Sequence, residues 1–188
     1  IMSFIKASAL GPLTASNTAT IVDPATPASG GAYLGPLVNF ASVASTSGTT
    51  ITFTGIPSWA KRITIMLQGV STNGTTLCAQ LGTAGGFVTS GYSGACGDQG
   101  TPASYSTDFR ASPGFSAGGA FTLNGTFSIT NITGNTWIEQ HMFGLGNTNS
   151  TCWGGGSVAL SGTLTQVRLT TANGTDVFDA GTVNVMYE

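Results

Sequence analysis

The sequence contains very few charged residues. Only 5 of its 188 residues are Lys or Arg and 7 are Asp or Glu, which is 6% of the chain, against about 25% in an ordinary soluble protein. Five scattered basic residues and a net charge of −2 provide no basic patch for phosphate groups, which argues against nucleic acid as a partner. A folded chain of this kind presents small neutral groups on its surface, and this favours packing between identical chains. A monomer with an unusually neutral exterior is the alternative.

The chain also lacks a long apolar run and paired cysteines. No run reaches the roughly 18 apolar residues of a membrane span, so we expect no membrane insertion. No signal peptide is visible at Ile1. A hydrophobic content of 40% argues against disorder. The three cysteines, Cys78, Cys96 and Cys152, form no Cys-x-x-Cys motif and have no histidines at the spacing of zinc ligands. They allow at most one disulfide within a chain.

Apolar and polar residues alternate along several segments, and this alternation predicts β-strands with one buried face. It is clearest in 51–70, in 182–188 and in Thr136–Leu145, where five side chains share one face: Trp137, Glu139, His141, Phe143 and Leu145. Gly134–Asn135 is expected to turn the chain into Thr136. Helical periodicity is absent. We predict an all-β fold, an antiparallel β-sandwich or a jelly-roll-like domain.

Glycine pairs and proline-rich stretches divide the chain. Three Asn-Gly pairs lie between apolar segments, and such pairs favour two-residue hairpin turns: Asn73–Gly74, Asn124–Gly125 and Asn173–Gly174. Residues 9–31 are rich in Pro, Ala, Thr and Gly, which break helices. We therefore predict an extended arm or collar over 1–45 and a globular β-domain over 46–188.

Two stretches interrupt the strand pattern and are predicted to be loops. They are Gly82–Gly119, which is rich in Gly, Ser, Thr and Ala, and the shorter Asn147–Gly156, which is rich in Gly, Asn, Thr and Ser. Loops on a rigid scaffold concentrate binding residues, and aromatic rings among small polar groups are typical of adaptable binding surfaces. The candidate receptor contacts are four residues within these stretches: Tyr92, Tyr105, Phe109 and Trp153. The alternative is that these rings point inward and anchor the loops.

No motif in the sequence predicts catalysis, a metal or a cofactor. Residues 114–118 match the G-x-S-x-G motif of serine hydrolases, but a proline precedes them and no helix pattern follows, so we expect no hydrolase site. His141 is the only histidine and is expected to be a core residue; an axial metal held by three copies of it is the minor alternative. Asp176 and Asp179 are expected to cap a turn rather than bind calcium. Paired carboxylates for glycoside cleavage rank low among the possibilities.

Several phrases, taken in order, carry a resemblance to a known family. They are ITFTGIPSWAKRITIMLQGV at 51–70, GGFVTSGY at 85–92, and the stretch 136–188, which contains TWIEQHMFGLGNT. The sequence resembles the distal, receptor-binding domain of bacteriophage tail fibres over more than half its length. The resemblance implies a homotrimer at the distal end of the fibre on the virion. It also implies synthesis in a reducing cytoplasm, where free buried thiols are expected.

Together these observations predict a non-enzymatic adhesin. It would bind a bacterial cell-surface receptor, either a polysaccharide or a surface protein, during host attachment. A structural trimerisation or capping domain of the fibre is the first alternative, and a fragment of a polysaccharide depolymerase is the second.

Overall fold

In the computed structural model, the residues described are 37–98, 100, 102–114, 121–146 and 149–188. These residues form fourteen strands and no helix. In chain order the strands are β1 (Val38–Asn39), β2 (Val43–Ala44), β3 (Thr50–Thr54), β4 (Arg62–Thr72), β5 (Leu77–Thr83), β6 (Gly86–Phe87), β7 (Tyr92–Gly97), β8 (Ala103–Tyr105), β9 (Phe109–Arg110), β10 (Leu123–Thr133), β11 (Thr136–Leu145), β12 (Ser150–Ala159), β13 (Gln166–Thr171) and β14 (Phe178–Tyr187). Nothing in the described ranges could therefore cross a bilayer as a helix.

The strands form two packed antiparallel sheets. The large sheet has the order β1-β14-β4-β10-β11-β12-β7-β8, with β2 also paired to β14. The small sheet has the order β3-β13-β5-β6, with β9 also paired to β5. The prediction of an all-β antiparallel sandwich is confirmed.

The hydrophobic core lies between the two sheets, and the alternation of the sequence determines which side chains enter it. On β11 the five residues predicted to share a face are all buried, while the residues between them are exposed. Ile63, Ile65 and Leu67 of β4 enter the same core, as do Val167 and Leu169 of β13 in the small sheet. The bounds of β11 match the predicted segment, and Gly134, with φ of 51°, makes the predicted turn before it.

The Asn-Gly pairs do not form the predicted two-residue hairpins. Asn73–Gly74 and Asn173–Gly174 both lie between a strand of one sheet and a strand of the other. No described residue other than glycine has a positive φ, whereas the predicted turn requires a positive φ at both central positions. The Asn173 side chain instead accepts hydrogen bonds from the N–H groups of Thr175 and Asp176. Both pairs therefore lie in longer connections that lead from one sheet to the other.

The third pair, Asn124–Gly125, lies inside a strand. Between Leu123 and Gly125 the register of β10 against β4 shifts by one residue, which is a β-bulge. Gly125 has φ of 148°, and a Cβ atom there would lie 2.3 Å from the carbonyl oxygen of Met142. Only glycine allows this close approach of β10 to β11. The prediction of a turn was wrong because Gly125 serves the close approach of β10 to β11, and the extra residue of the bulge lies on β4.

The large sheet begins before the predicted boundary at residue 46. Strands β1 and β2, which fall within the predicted arm, pair with β14 through Val38 and Val43. Residues 1–36, which make up the remainder of the predicted arm, lie outside the described residues. The predicted loop Gly82–Gly119 contains strands β6 to β9, and the predicted loop Asn147–Gly156 contains most of β12. Both loop predictions were wrong in this respect.

Candidate functional site

The solvent-facing side of the large sheet carries the candidate site. We call it the outer face. Along each of its strands the buried residues point to the core, so the residues between them point outward. On β12, for example, Cys152 and Val158 are buried, whereas Thr151 and Trp153 are exposed. The outer face spans the strands from β14 to β8, and its side chains are mostly Ser, Thr, Gln, Met and Gly.

Trp153 is the largest exposed group on this face. Its side chain is 48% exposed, and that of Met142, its direct partner on β11, is 68% exposed. On the other side Trp153 pairs with Gly97 of β7. A Cβ atom on Gly97 would lie 2.7 Å from Cζ2 of Trp153, so the indole lies over the bare backbone of this glycine. The ring is therefore held in place with one side open to solvent.

The residues that pair across the strands form three parallel rows on the outer face. The Trp153 row runs through Met66, Thr126, Met142, Trp153 and Gly97. The Gln140 row runs through Thr64, Ser128, Gln140, Gly155, Ala95 and Ser104. The Ile138 row runs through Arg62, Thr130, Ile138, Ser157 and Ser93. The middle row has the smallest side chains, so the surface is lowest there.

Two depressions lie along this middle row. One, of about 370 Å³, is bounded by Ser128, Gln140 and Met142. The other, of about 670 Å³, is bounded by Ala95 and Ser104 among others. They lie on either side of consecutive glycines of β12, since Gly154 borders the first depression and Gly155 the second. We call this lowered strip, along the Gln140 row, the groove.

The glycines of β12 have separate roles. Gly154 points to the core, and a Cβ atom there would lie 2.4 Å from Cε1 of His141, so its absence makes room for the imidazole. Gly156 lets β12 approach β7, because a Cβ atom there would lie 2.7 Å from the Cα atom of Gly94. Gly155 points outward and leaves the floor of the groove without a side chain.

Two of the four predicted contact residues are buried. Tyr92 lies on β7 and Phe109 on β9, with 4% and 2% of their surfaces exposed. Their rings pack edge to face at 4.8 Å, and the hydroxyl oxygen of Tyr92 accepts a hydrogen bond from the N–H group of Leu81. The prediction that they are loop residues was wrong, because the strands of this region turn both rings inward. Both rings belong to the hydrophobic core.

Tyr105, the third predicted residue, lies on β8 and faces inward at the edge of the sheet. It pairs with Gly94, which shares the inner side with Tyr92. The guanidinium group of Arg110 lies 4.0 Å from the centre of its ring, and its hydroxyl group donates a hydrogen bond to the carbonyl oxygen of Pro113. Arg110 in turn binds Asp108 through two hydrogen bonds of 2.9 and 3.1 Å. Tyr105 thus helps to close the interior, and only Trp153 lies on the outer face.

His141 is a core residue, as the sequence predicted. Its Nδ1 atom lies 2.9 Å from Oε1 of Glu139, and its Nε2 atom lies 3.2 Å from the carbonyl oxygen of Ala111. Both ring nitrogens are therefore used within the chain. Burial raises the pKa of Glu139, although the hydrogen bond with His141 acts in the opposite direction. Among the described residues, no three potential ligands are grouped for a metal ion.

The other acidic residues also serve the fold. Asp176 accepts a hydrogen bond from the N–H group of Thr75, which lowers the pKa of the carboxyl group, and Asp179 accepts one from the hydroxyl group of Ser71. Asp176 thus caps the connection between β4 and β5, as predicted. Asp179 lies within β14 and bonds the neighbouring strand β4, so the prediction of a turn cap was wrong for this residue. The G-x-S-x-G segment lies outside the described residues except for Gly114.

The groove and the rows beside it carry almost no charge. In the part of the outer face that the structure describes, the one charged side chain in the three rows is Arg62, at the end of the Ile138 row. It forms an ion pair of 2.9 Å with Glu188. The groove therefore presents hydroxyl, amide, thioether and indole groups, and no formal charge.

Comparison with known proteins gave no significant match. No family model, no curated protein and no solved structure is similar to this chain. The resemblance to tail-fibre domains stays a prediction from the sequence.

Sequence reasoning found Trp153 but missed its surroundings. Met142 and Gln140 alternate with the buried residues of β11, so the strand pattern already places them on the solvent side. Gly97 and Ala95 gave no signal, because their role depends on which strand lies beside β12. That pairing joins residues that are more than fifty positions apart in the sequence.

Proposed function

We propose that this chain is the receptor-binding adhesin domain at the tip of a bacteriophage tail fibre. It attaches the virion to a bacterial cell-surface receptor and carries out no catalysis. The observation that supports this best is the half-exposed indole of Trp153, which lies over Gly97 beside the groove. The resemblance of 51–70 and 136–188 to tail-fibre domains supports the proposed location on the virion.

The outer face suits adhesion for a physical reason. A fixed aromatic ring provides a large contact area at a low cost in conformational entropy, and small hydroxyl and amide groups beside it provide hydrogen bonds. Trp153 supplies the ring, and Gln140 and Ser128 supply polar groups in the neighbouring row. Trp is also among the residues that contribute most binding energy at interfaces.

A homotrimer is part of the proposal. The resemblance implies it, and the low content of charged residues supports packing between copies because few charges need desolvation. Three copies on one fibre would bind a repetitive surface together, and linked binding raises the overall affinity by about 10² to 10⁴. Sedimentation equilibrium of the purified chain measures this assembly directly.

The binding experiment uses the labelled chain and a panel of bacterial strains, with soluble surface polysaccharide, pilus and outer-membrane protein as competitors. We expect saturable binding to at least one strain. Trp153→Ala should weaken it by about 30-fold or more, since an interface hot spot contributes at least about 2 kcal/mol. The matched control is Trp59→Ala, which removes a tryptophan of similar exposure, 37%, that packs against Tyr187 away from the groove.

Other results would favour the alternative functions. Absence of binding to every strain that the parent particle infects would refute the adhesin and favour a structural or trimerisation domain. Release of shorter saccharides from the polysaccharide would favour a depolymerase fragment. If Trp153→Ala and Trp59→Ala weakened cell binding equally, the receptor would not bind specifically to the outer face.

A further inference from the structure

We propose that the groove binds an extended segment of a neutral polysaccharide that lies across the strands. This inference rests on the proposed function and names the class of its receptor. The groove follows the Gln140 row, in which the lowest positions are Gly155 and Ala95. It is bordered on one side by Trp153 and Met142 and on the other by Ile138.

The dimensions of the groove fit a linear chain. It crosses five strands, β10, β11, β12, β7 and β8. Neighbouring strands lie about 4.8 Å apart, so the groove is about 19 Å long. The two flanking rows are four residues apart along each strand, which is about 13 Å. A strip of this length and width accommodates several successive sugar units, and the two flanking rows hold them on the line of the Gln140 row.

The groups along the groove suit a carbohydrate. Sugar rings have apolar C–H faces that pack on an aromatic ring, and their hydroxyl groups both donate and accept hydrogen bonds. Trp153 offers the ring at one border. Gln140, Ser128 and Ser104 offer an amide and two hydroxyl groups along the floor. The small floor residues let the chain lie close to the sheet.

The backbone of the groove argues against an extended peptide as the ligand. Peptides that bind sheets usually add a strand to a free edge, where unpaired N–H and C=O groups are available. The strands beneath the middle of the groove, β11, β12 and β7, are each paired on both sides. A peptide lying on this face would therefore leave its own backbone groups without partners.

The electrostatics favour a neutral glycan over an acidic one. A carboxylate or phosphate that leaves water needs a cationic partner or several hydrogen-bond donors. The described part of the groove has no Lys or Arg along the Gln140 row. Arg62 lies at the far end of the neighbouring row and is already paired with Glu188. A polyanion would lose hydration along the groove and gain no ion pair.

The test compares the neutral and the acidic polysaccharides of the bacterial surface. Surface polysaccharide is extracted from a strain that binds the chain and is divided by anion exchange into a neutral and an acidic fraction. Each fraction then competes with intact cells for the labelled chain. We expect only the neutral fraction to compete. Competition by the acidic fraction alone, or by neither fraction, would overturn the inference while leaving the adhesin proposal in place.

A second arm tests the position of the bound glycan. Ala95→Phe places a large ring on the groove floor at an exposed residue and removes no proposed contact. We expect it to weaken binding of the neutral fraction by about 10-fold or more, by steric exclusion from a fixed site. Its control, Gln68→Phe, puts the same ring on an exposed position of the same face, outside the three rows, and should change binding by about twofold at most.

Thermal unfolding confirms first that both variants fold. Unchanged binding by folded Ala95→Phe would place the receptor elsewhere on the molecule. If no strain binds the chain at all, the proposed function itself fails, and that outcome differs from each of those above.

Discussion

Replacing His141 by alanine tests how the interior of the sandwich is stabilised. The side chains of His141 and Glu139 are each 1% exposed. Nδ1 of His141 forms a hydrogen bond with the carboxyl group of Glu139, and Nε2 forms one with the carbonyl oxygen of Ala111. His141→Ala leaves the carboxyl group buried without this partner.

The magnitude follows from the burial of the pair. Leaving a buried polar group without its hydrogen-bond partner costs about 1–3 kcal/mol. The ring contacts of His141 with Phe127 and Phe143, at 5.1 and 5.2 Å between centres, are lost as well. A loss of this size is a large part of the roughly 5–15 kcal/mol of a typical domain. The free energy of unfolding is measured by urea denaturation at one fixed protein concentration, since assembly shifts apparent stability.

The control is Gln140→Ala, at the exposed position between the pair on the same strand. Substitutions at such positions usually change stability by less than about 0.5 kcal/mol. A loss below about 1 kcal/mol for His141→Ala would refute the reasoning, because a buried carboxyl group without a partner should cost at least about that much.

The pH dependence of stability tests the state of the carboxyl group. Burial raises the pKa of Glu139 above its ordinary value of 4.5, so the folded protein holds this proton more tightly than the unfolded chain. This contribution is fully present below about pH 4.5 and is lost as the pH rises through the raised pKa. Glu139→Gln does not titrate and keeps a hydrogen-bonding amide. From about pH 4.5 to pH 8 the wild type should lose stability relative to Glu139→Gln. If the difference in stability between the two proteins stayed constant over this pH range, or changed with the opposite sign, the raised pKa of Glu139 would be contradicted.

Three further predictions concern the glycines and the thiols. Gly154→Ala should destabilise by about 1–3 kcal/mol through overpacking against His141, whereas Gly144→Ala, with open space around it, should change urea stability little. Gly97→Ala should displace the indole of Trp153. It should weaken binding of the labelled chain to bacterial cells, but less than Trp153→Ala does. Burial raises the pKa of all three thiols, to about 12 for two of them. At pH 8 a thiol reagent should therefore modify them only after unfolding, and rapid modification in the folded state would contradict the burial of Cys78, Cys96 and Cys152.

The parts of the fold that were predictable from the sequence are those with long alternating patterns. Strand β11 was predicted with its observed bounds because ten residues alternate without interruption and half of them enter the core. The core position of His141 followed from the same pattern. Trp153, which was predicted as a receptor contact on a loop, lies exposed on strand β12.

The remaining features depended on contacts between distant segments. Strand β7 consists mostly of Ser, Gly, Ala and Cys. The side chains on its outward side therefore have the composition of a loop. Tyr92 and Phe109 are buried because they lie in opposite sheets and their rings pack against each other between them. No local sequence pattern predicts this packing. Gly125 gave the signal of a turn, because its positive φ and its close approach to β11 need the same backbone freedom. Short strands with small side chains were therefore the main source of error.

Oxidative footprinting of the chain bound to cells tests the central claim most directly. Hydroxyl radicals modify exposed tryptophan and methionine side chains, and mass spectrometry locates the products. Trp153 and Met142 are both exposed on the outer face, whereas Trp59 is exposed elsewhere. The adhesin proposal predicts that bound cells protect Trp153 and Met142 and leave Trp59 unchanged. Protection of Trp59 with continued modification of Trp153 would contradict it.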